Sequence, residues 1–169
     1  MQESPYLEGN GFLAEKLQRL PFLGSISENY IRDILRVSKI RKFDEGEVIT
    51  EEKSYDSWVY IMFSGAVSIE KNGRQIAIFN EIGSTFGELA AIDGKARSAS
   101  VHAIGPTVCL AIDASFMNET AEPIEQALFV SVLYKLFAEV IAQHLRSAND
   151  ELVKLRSELE VLKREKGLS

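Results

Sequence analysis

The chain carries one cysteine and two histidines in 169 residues. A lone cysteine excludes a disulfide framework and a cysteine-rich zinc site. Two isolated histidines give no metal-binding cluster. No apolar run can span a bilayer: the longest, around Ala127–Leu133, falls far short of the roughly 20 residues required. The N-terminus, Met1-Gln2-Glu3-Ser4-Pro5, lacks the positive start and apolar stretch of a signal peptide. A cytoplasmic protein is the simple reading. Positive charge is in deficit, with 19 Lys+Arg against 25 Asp+Glu and a net charge of −6. That balance argues against nucleic acid as the main partner, which needs a basic face, and against adhesion to an anionic membrane. No spaced pair of acidic residues suggests acid–base catalysis, so the chain is read as a non-enzyme.

What is present suits one domain with an addition. Hydrophobic residues make up 46% and charged residues 26%, enough apolar content for a true core. Three regions differ in texture. Residues 1–40 read as a helical lead. Phe12, Leu13, Leu17 and Leu20 recur at helical spacing until Pro21, and Ser27 stands as an N-cap before a helix whose face carries Tyr30, Ile31, Ile34 and Leu35. Residues 41–122 read as strands. Short apolar runs such as Trp58–Phe63, Ala66–Ile69 and Gln75–Phe79 alternate with turn residues, and Asn72-Gly73 marks a tight hairpin because both residues tolerate positive φ. Cys109, in the run Val108–Ala111, reads as core packing. Residues 123–169 open with Pro123, which fits a first helical turn, and run from Ile124 to Lys166 without Gly or Pro.

That last region contains a heptad seam. With Leu145 at position a, the a and d positions are Tyr134, Ala138, Ile141, Leu145, Ala148, Leu152, Leu155, Leu159 and Leu162. This alternating spacing of 4 and 3 is the signature of a coiled coil. The first part, where Leu128, Phe129, Leu133, Leu136 and Phe137 widen the apolar face, suits packing on the β region instead. Glu151 and Glu158 fall at g, and Arg156 and Lys163 at e. A parallel pair then sets Glu151 against Arg156 and Glu158 against Lys163 of the other copy, both attractive, which predicts a parallel homodimer through Leu145, Leu152, Leu155, Leu159 and Leu162.

The chemistry is concentrated in Gly83–Val101, with sequence GSTFGELAAIDGKARSASV. Gly87 permits close backbone approach to a ligand. Residues 88–91 can form a short helical turn whose N–H groups face an anion. Arg97 offers a planar, permanently charged fork suited to phosphate, and Ser98 adds a hydroxyl. Glu88 can accept from a sugar hydroxyl. A phosphate beside a ribose describes a nucleotide, although each residue type is common on its own. Among the other polar residues, His102 reads as a surface or groove residue and His144, at a g position, as solvated.

The segments Phe86-Gly87-Glu88-Leu89-Ala90 and Arg97-Ser98-Ala99-Ser100-Val101 resemble the phosphate-binding cassette of the cyclic nucleotide-binding domain family, at the spacing of the cAMP-dependent kinase type. Further resemblances are Leu20-Pro21-Phe22-Leu23 through Ile40 to the helical lead, Phe43–Ile49 to the first strand, Tyr60–Val67 to the next block, and Phe116 to the aromatic after the last strand. The implied fold is mainly β with helices at both ends: a double-stranded β-helix (jelly roll), here followed by a long C-terminal coiled-coil helix. The resemblance implies a receptor for cAMP, with cGMP as the alternative. Glu88 would bind the ribose 2′-hydroxyl, Arg97 and Ser98 the cyclic phosphate, and the N–H groups of Gly87, Leu89 and Ala99, beside Ala90, would line the same cavity. Ile69, Ile76 and Ile78 would form an apolar wall near the base.

Three departures stand out. Lys53 and Asp56-Ser57 replace turns that often hold glycine, and are expected to alter loop shape but not the phosphate site. Ala96 replaces a frequent proline. The long helix lacks the Thr-Ser pair of the bacterial activator, and alignment on Leu145 puts Ala148-Asn149 there, making Asn149 the candidate for the base edge. A hydroxyl after the arginine accompanies cGMP in some members, yet the activator also has serine and responds to cAMP. No DNA-binding segment follows the coil, so the output is expected from a protein partner or a fused domain. The competing reading is a structural dimer whose sensor binds no nucleotide.

Overall fold

The computed structural model describes residues 1–20, 23, 24, 26–115 and 123–166, with backbone alone at 123–126, 128, 129 and 165. The readings placed on Pro21, Phe22 and Phe116, and on the side chains of Leu128 and Phe129, lie outside the described residues. The elements in chain order are β1 (Gln2–Glu3), α1 (Gly11–Gln18), α2 (Glu28–Arg36), β2 (Ser38–Phe43), β3 (Val48–Thr50), β4 (Trp58–Ser64), β5 (Val67–Lys71), β6 (Arg74–Phe79), β7 (Thr85–Phe86), α3 (Glu88–Asp93), β8 (Ser100–Ala103), β9 (Thr107–Asp113) and α4 (Pro123–Glu165).

The strands form two antiparallel sheets, ordered β1-β2-β9-β4-β7 and β3-β8-β5-β6. The jelly-roll expectation holds. Strands β4 and β9 explain their own unbroken apolar sequence, because both of their faces are covered. On β4, Tyr60 and Met62 point into the sandwich while Val59 and Ile61 point to the helices; on β9, Cys109 and Ala111 face in while Leu110 and Ile112 face the helices. The asymmetry creates two cores. One lies between the sheets around Phe43, Tyr60, Met62, Phe86 and Cys109. The other lies under the helices around Leu17, Ile31, Ile34, Leu35, Leu133, Leu136 and Phe137. Each fully buried side chain of this size contributes about 1.5–3 kcal/mol. The hairpin at Asn72-Gly73 takes positive φ at both residues, 51° and 71°.

The N-terminal region differs from its sequence reading in three ways. Strand β2 begins at Ser38, before the expected limit of the helical lead at 40. Gln2 and Glu3 pair with Lys42 and Arg41 as an edge strand, held by Glu3 accepting from Lys39 Nζ (2.8 Å) and Arg41 Nε (3.1 Å). Phe12 does not join the core; it is exposed, with Lys16 Nζ 4.8 Å from its ring centre. Ser27 does stand at the N-cap of α2, but its hydroxyl makes no capping bond and the turn closes through Ile31 N–H donating to Ser27 O.

Helix α4 spans 43 residues, about 65 Å at 1.5 Å per residue. Leu133, Leu136, Phe137 and Val140 bury one stripe against the domain. The heptad residues Tyr134, Leu145, Leu152, Leu155, Leu159 and Leu162 lie on a different stripe, turned away from that contact and 45–60% exposed. Among the described residues, no helix is long and apolar enough to cross a membrane.

Candidate functional site

Strand β7 carries the chain into the cassette. Phe86 is fixed by stacking on Tyr60, with ring centres 5.1 Å apart and planes at 14°. The next residue, Gly87, turns the chain at φ 90° and opens α3; Gly94, at φ 65°, closes it. Only glycine suits position 87: a Cβ there would lie 2.6 Å from Arg97 Nη1 and 2.7 Å from the Trp58 carbonyl. The turn thereby lets Arg97 cross directly over the cassette backbone.

Arg97 is 3% exposed and every nitrogen of its fork is engaged. Nη1 donates to Gly87 O at 2.8 Å, Nη2 to Trp58 O at 2.5 Å, Nε to Asp56 Oδ2 at 2.9 Å, and Nη2 also contacts Asp56 Oδ1. Its backbone is tied to the preceding turn, where Arg97 N–H donates to Ser54 O and Lys53 N–H to Arg97 O. Lys53 holds that turn at φ 68°, the left-handed conformation for which glycine is better suited. The expectation that Lys53 and Asp56-Ser57 affect loop shape alone is therefore corrected: this loop supplies the arginine's counter-ion and positions its backbone. The pairing was missed because the two residues lie 41 positions apart.

Glu88, the first residue of α3, is 5% exposed. Its carboxylate Oε1 lies 3.3 Å from His144 Nδ1 on α4. His144 also packs on Phe79, with ring centres 5.2 Å apart. It is half-buried against the domain, and the expectation of a solvated His144 is corrected. A helical g position faces solvent only where nothing else packs on that side, and here the domain does.

A cleft of about 950 Å³ opens between the cassette, β5–β6 and α4. It gathers Gly87, Glu88, Leu89, Ala90, Arg97, Ser98, Ala99, Ile69, Ile76 and Ile78. Ile69 and Ile78 do not share a sheet face: Ile69 pairs with Ala77, while Ile78 pairs with Ser68 on the other side and is half-exposed at the edge. Asn149 is exposed and outside the cleft. Helix α4 instead presents Val140, Gln143, His144, Ser147, Ala148 and Glu151. The rotation of α4 against its own domain is fixed by Leu133, Leu136 and Phe137, which the alignment on Leu145 did not use. A smaller hollow of about 250 Å³ between α2 and α4, lined by Ile26, Tyr30 and Glu139, does not reach the cassette.

A buried guanidinium beside a short helical turn, with a buried carboxylate next to it, can hold an anion and a hydroxyl-bearing group side by side. The cleft volume lies within the range of small-molecule sites. Comparison with known proteins agrees with this chemistry. Residues 40–122 match the family profile described as cyclic nucleotide-binding domain. The cAMP-dependent protein kinase regulatory subunit of Yarrowia lipolytica is 34% identical over 111 residues, covering 62% of this chain and 29% of that one. The cGMP-dependent protein kinase of Toxoplasma gondii is 25% identical over 150 residues, covering 89% of this chain and 14% of that one. The chain thus spans less than a third of the length of these relatives. The crystal structure of a cyclic nucleotide-binding domain from Methylobacillus flagellatus superposes with a TM-score of 0.70 at 18% identity, covering 83% of this chain and 80% of that one. Residues 40–122 are thus a domain that matches the cyclic nucleotide-binding domain family.

Proposed function

We propose that the chain is a cyclic nucleotide receptor, with cAMP as its preferred ligand, and that it signals through a dimeric α4. The observation that carries this reading is the burial of Glu88 and Arg97 at one wall of a single cleft. Arg97 binds the cyclic phosphate, assisted by the Ser98 hydroxyl and the N–H groups of Gly87, Leu89 and Ala99. Glu88 accepts from the ribose 2′-hydroxyl. Ile69 and Phe79 offer apolar contact to the rest of the ligand. The preference for cAMP leans on the higher identity to the cAMP-dependent kinase subunit than to the cGMP-dependent kinase.

Signalling follows from the placement of α4. Its residues 140–151 line the cleft, and the same helix continues into an exposed leucine stripe. Ligand that engages the cassette changes what α4 packs against, and the parallel coil passes that change to a partner or fused domain. Ligand shifts the balance between two arrangements only by its differential affinity for them, so the position of α4 differs between the ligand-free and bound forms. Isothermal titration with cAMP and cGMP, with Arg97→Ala as control, tests the reading. Micromolar or tighter binding lost in the variant is the expected result; no binding of either nucleotide to the wild type overturns it.

A further inference from the structure

Glu88 is assigned above to the ligand, yet its carboxylate already contacts α4, which lines the opposite side of the cleft. Oε1 lies 3.3 Å from His144 Nδ1. The imidazole is braced by the ring of Phe79, and α4 is anchored one and two turns earlier by Val140 and Phe137. The imidazole and a ribose hydroxyl thus seek the same buried carboxylate. We propose that His144 is a proton-sensitive latch, closing α4 over the cassette by contact with Glu88 so that nucleotide and protonated His144 compete for the same carboxylate. The proposal rests on the receptor reading and adds its regulation.

The charges around the imidazole decide the sign. Glu88 faces it from α3. Glu81, after β6, and Glu151, on α4 itself, line the same cleft. The cations of the cleft are Lys71, at the end of β5, and Arg97, whose charge is matched by Asp56. Three carboxylates thus stand against one lysine not paired with Asp56, and protonation of His144 strengthens closure. Imidazole is the side chain whose charge ordinarily changes between about pH 5 and 8. A latch held by protonated His144 is tighter at acid pH than at alkaline pH, so nucleotide affinity rises with pH.

The test is nucleotide titration at pH 5.5 and pH 8 in constant ionic strength, for the wild type, His144→Gln and His102→Gln. His102 is the chain's other histidine, 3.8 Å from Glu70 and outside the cleft. The expected result is binding about fivefold weaker at pH 5.5 in the wild type, the same step in His102→Gln, and no step in His144→Gln. A step that survives in His144→Gln, or is missing from the wild type, overturns the latch and leaves the receptor reading standing. If neither nucleotide binds at either pH, the receptor reading fails, and the latch is judged on ligand-free protein by hydrogen exchange of residues 140–150. Protection factors that rise from pH 8 to pH 5.5 in the wild type but not in His144→Gln support it; equal factors overturn it.

Discussion

Arg97 and Asp56 are ion-paired across 41 residues of sequence, with Nε 2.9 Å from Oδ2 and the second carboxylate oxygen in contact with Nη2. The pair presets the guanidinium plane. Its orientation is set further by two backbone carbonyls, Gly87 O and Trp58 O, which accept from Nη1 and Nη2. The cassette arginine is thus oriented before any ligand arrives, and the negative charge beside it makes Asp56 both its positioner and the competitor of an incoming phosphate.

Asp56→Asn follows directly. Arg97 is 3% exposed, so the substitution leaves a nearly buried cation without its counter-charge. Asp56 itself is about a third exposed, which limits the cost to about 2 kcal/mol. For a chain of this length that lowers the thermal midpoint by about 4–8 °C. A bound phosphate replaces the missing charge, so saturating cAMP raises the midpoint of Asp56→Asn by more than it raises that of the wild type. Equal ligand-induced shifts in differential scanning fluorimetry would show that Asp56 and the ligand do not share Arg97.

Two glycines of the cassette separate backbone strain from close packing. Gly94 has φ 65° with nothing within 4 Å of a built Cβ, so Gly94→Ala meets conformational strain alone, about 1 kcal/mol. Gly87 has φ 90° with Arg97 and the Trp58 carbonyl inside 3 Å, so Gly87→Ala adds a clash and costs about 2–4 kcal/mol. Urea denaturation measures both. In addition Gly87→Ala displaces the Arg97 fork and loses nucleotide binding, while Gly94→Ala keeps it.

The parts of this molecule that could be read from sequence are those encoded over a short span. Strand β4 was legible because coverage on both faces writes an unbroken apolar run, and the hairpin because Asn72-Gly73 suits two positive φ values. The cassette residues lie together in one cleft because a span of only ten positions includes both Glu88 and Arg97. What escaped depends on distant partners. Asp56 is an ordinary loop aspartate until the fold brings it under Arg97. Strand β1 is two residues long and carries no periodicity; it exists because Glu3 meets Lys39 and Arg41. His144 rather than Asn149 faces the cassette because the rotation of α4 is fixed by Phe137 and its neighbours in the helical core, not by the heptad. Ile69 and Ile78 both line the cleft but from opposite faces of the β5–β6 pair, which sequence alone does not fix.

Cys109 offers a check of the inter-sheet core. It is fully buried, and burial pushes its thiol up to about 12. The thiolate is the reactive form, so the native protein at pH 8 does not react with a disulfide reagent such as DTNB on the timescale of free thiols. In denaturant the single thiol reacts at the ordinary rate. Fast labelling of native protein would place Cys109 outside the core described here.

The leucine seam gives the last test. Leu145, Leu152, Leu155, Leu159 and Leu162 are 47–60% exposed in the single chain, while Leu133, Leu136 and Phe137 on the neighbouring stripe are already buried against the domain. Pairing with a second copy therefore adds burial without competing with the intrachain contact. Covering the exposed half of each leucine contributes about 1 kcal/mol per side chain. The flanking charges choose the direction, since Glu151 and Glu158 face Arg156 and Lys163 of the partner only when the helices run parallel. Leu152→Glu with Leu159→Glu buries two like charges at the seam, and sedimentation equilibrium is expected to find this variant monomeric with an intact β domain by circular dichroism. Glu151→Lys with Glu158→Lys keeps the leucines but sets cation against cation in the parallel register; it dimerises more weakly than the wild type at low salt and approaches it at 1 M salt, where such pairs are screened. Dimerisation that is unchanged by the leucine pair removes the coiled coil. Dimerisation abolished by the leucine substitutions but insensitive to the lysine substitutions makes the coil antiparallel, because like charges then face each other both before and after the swap, and the signal would leave from both ends of the paired helices rather than from one.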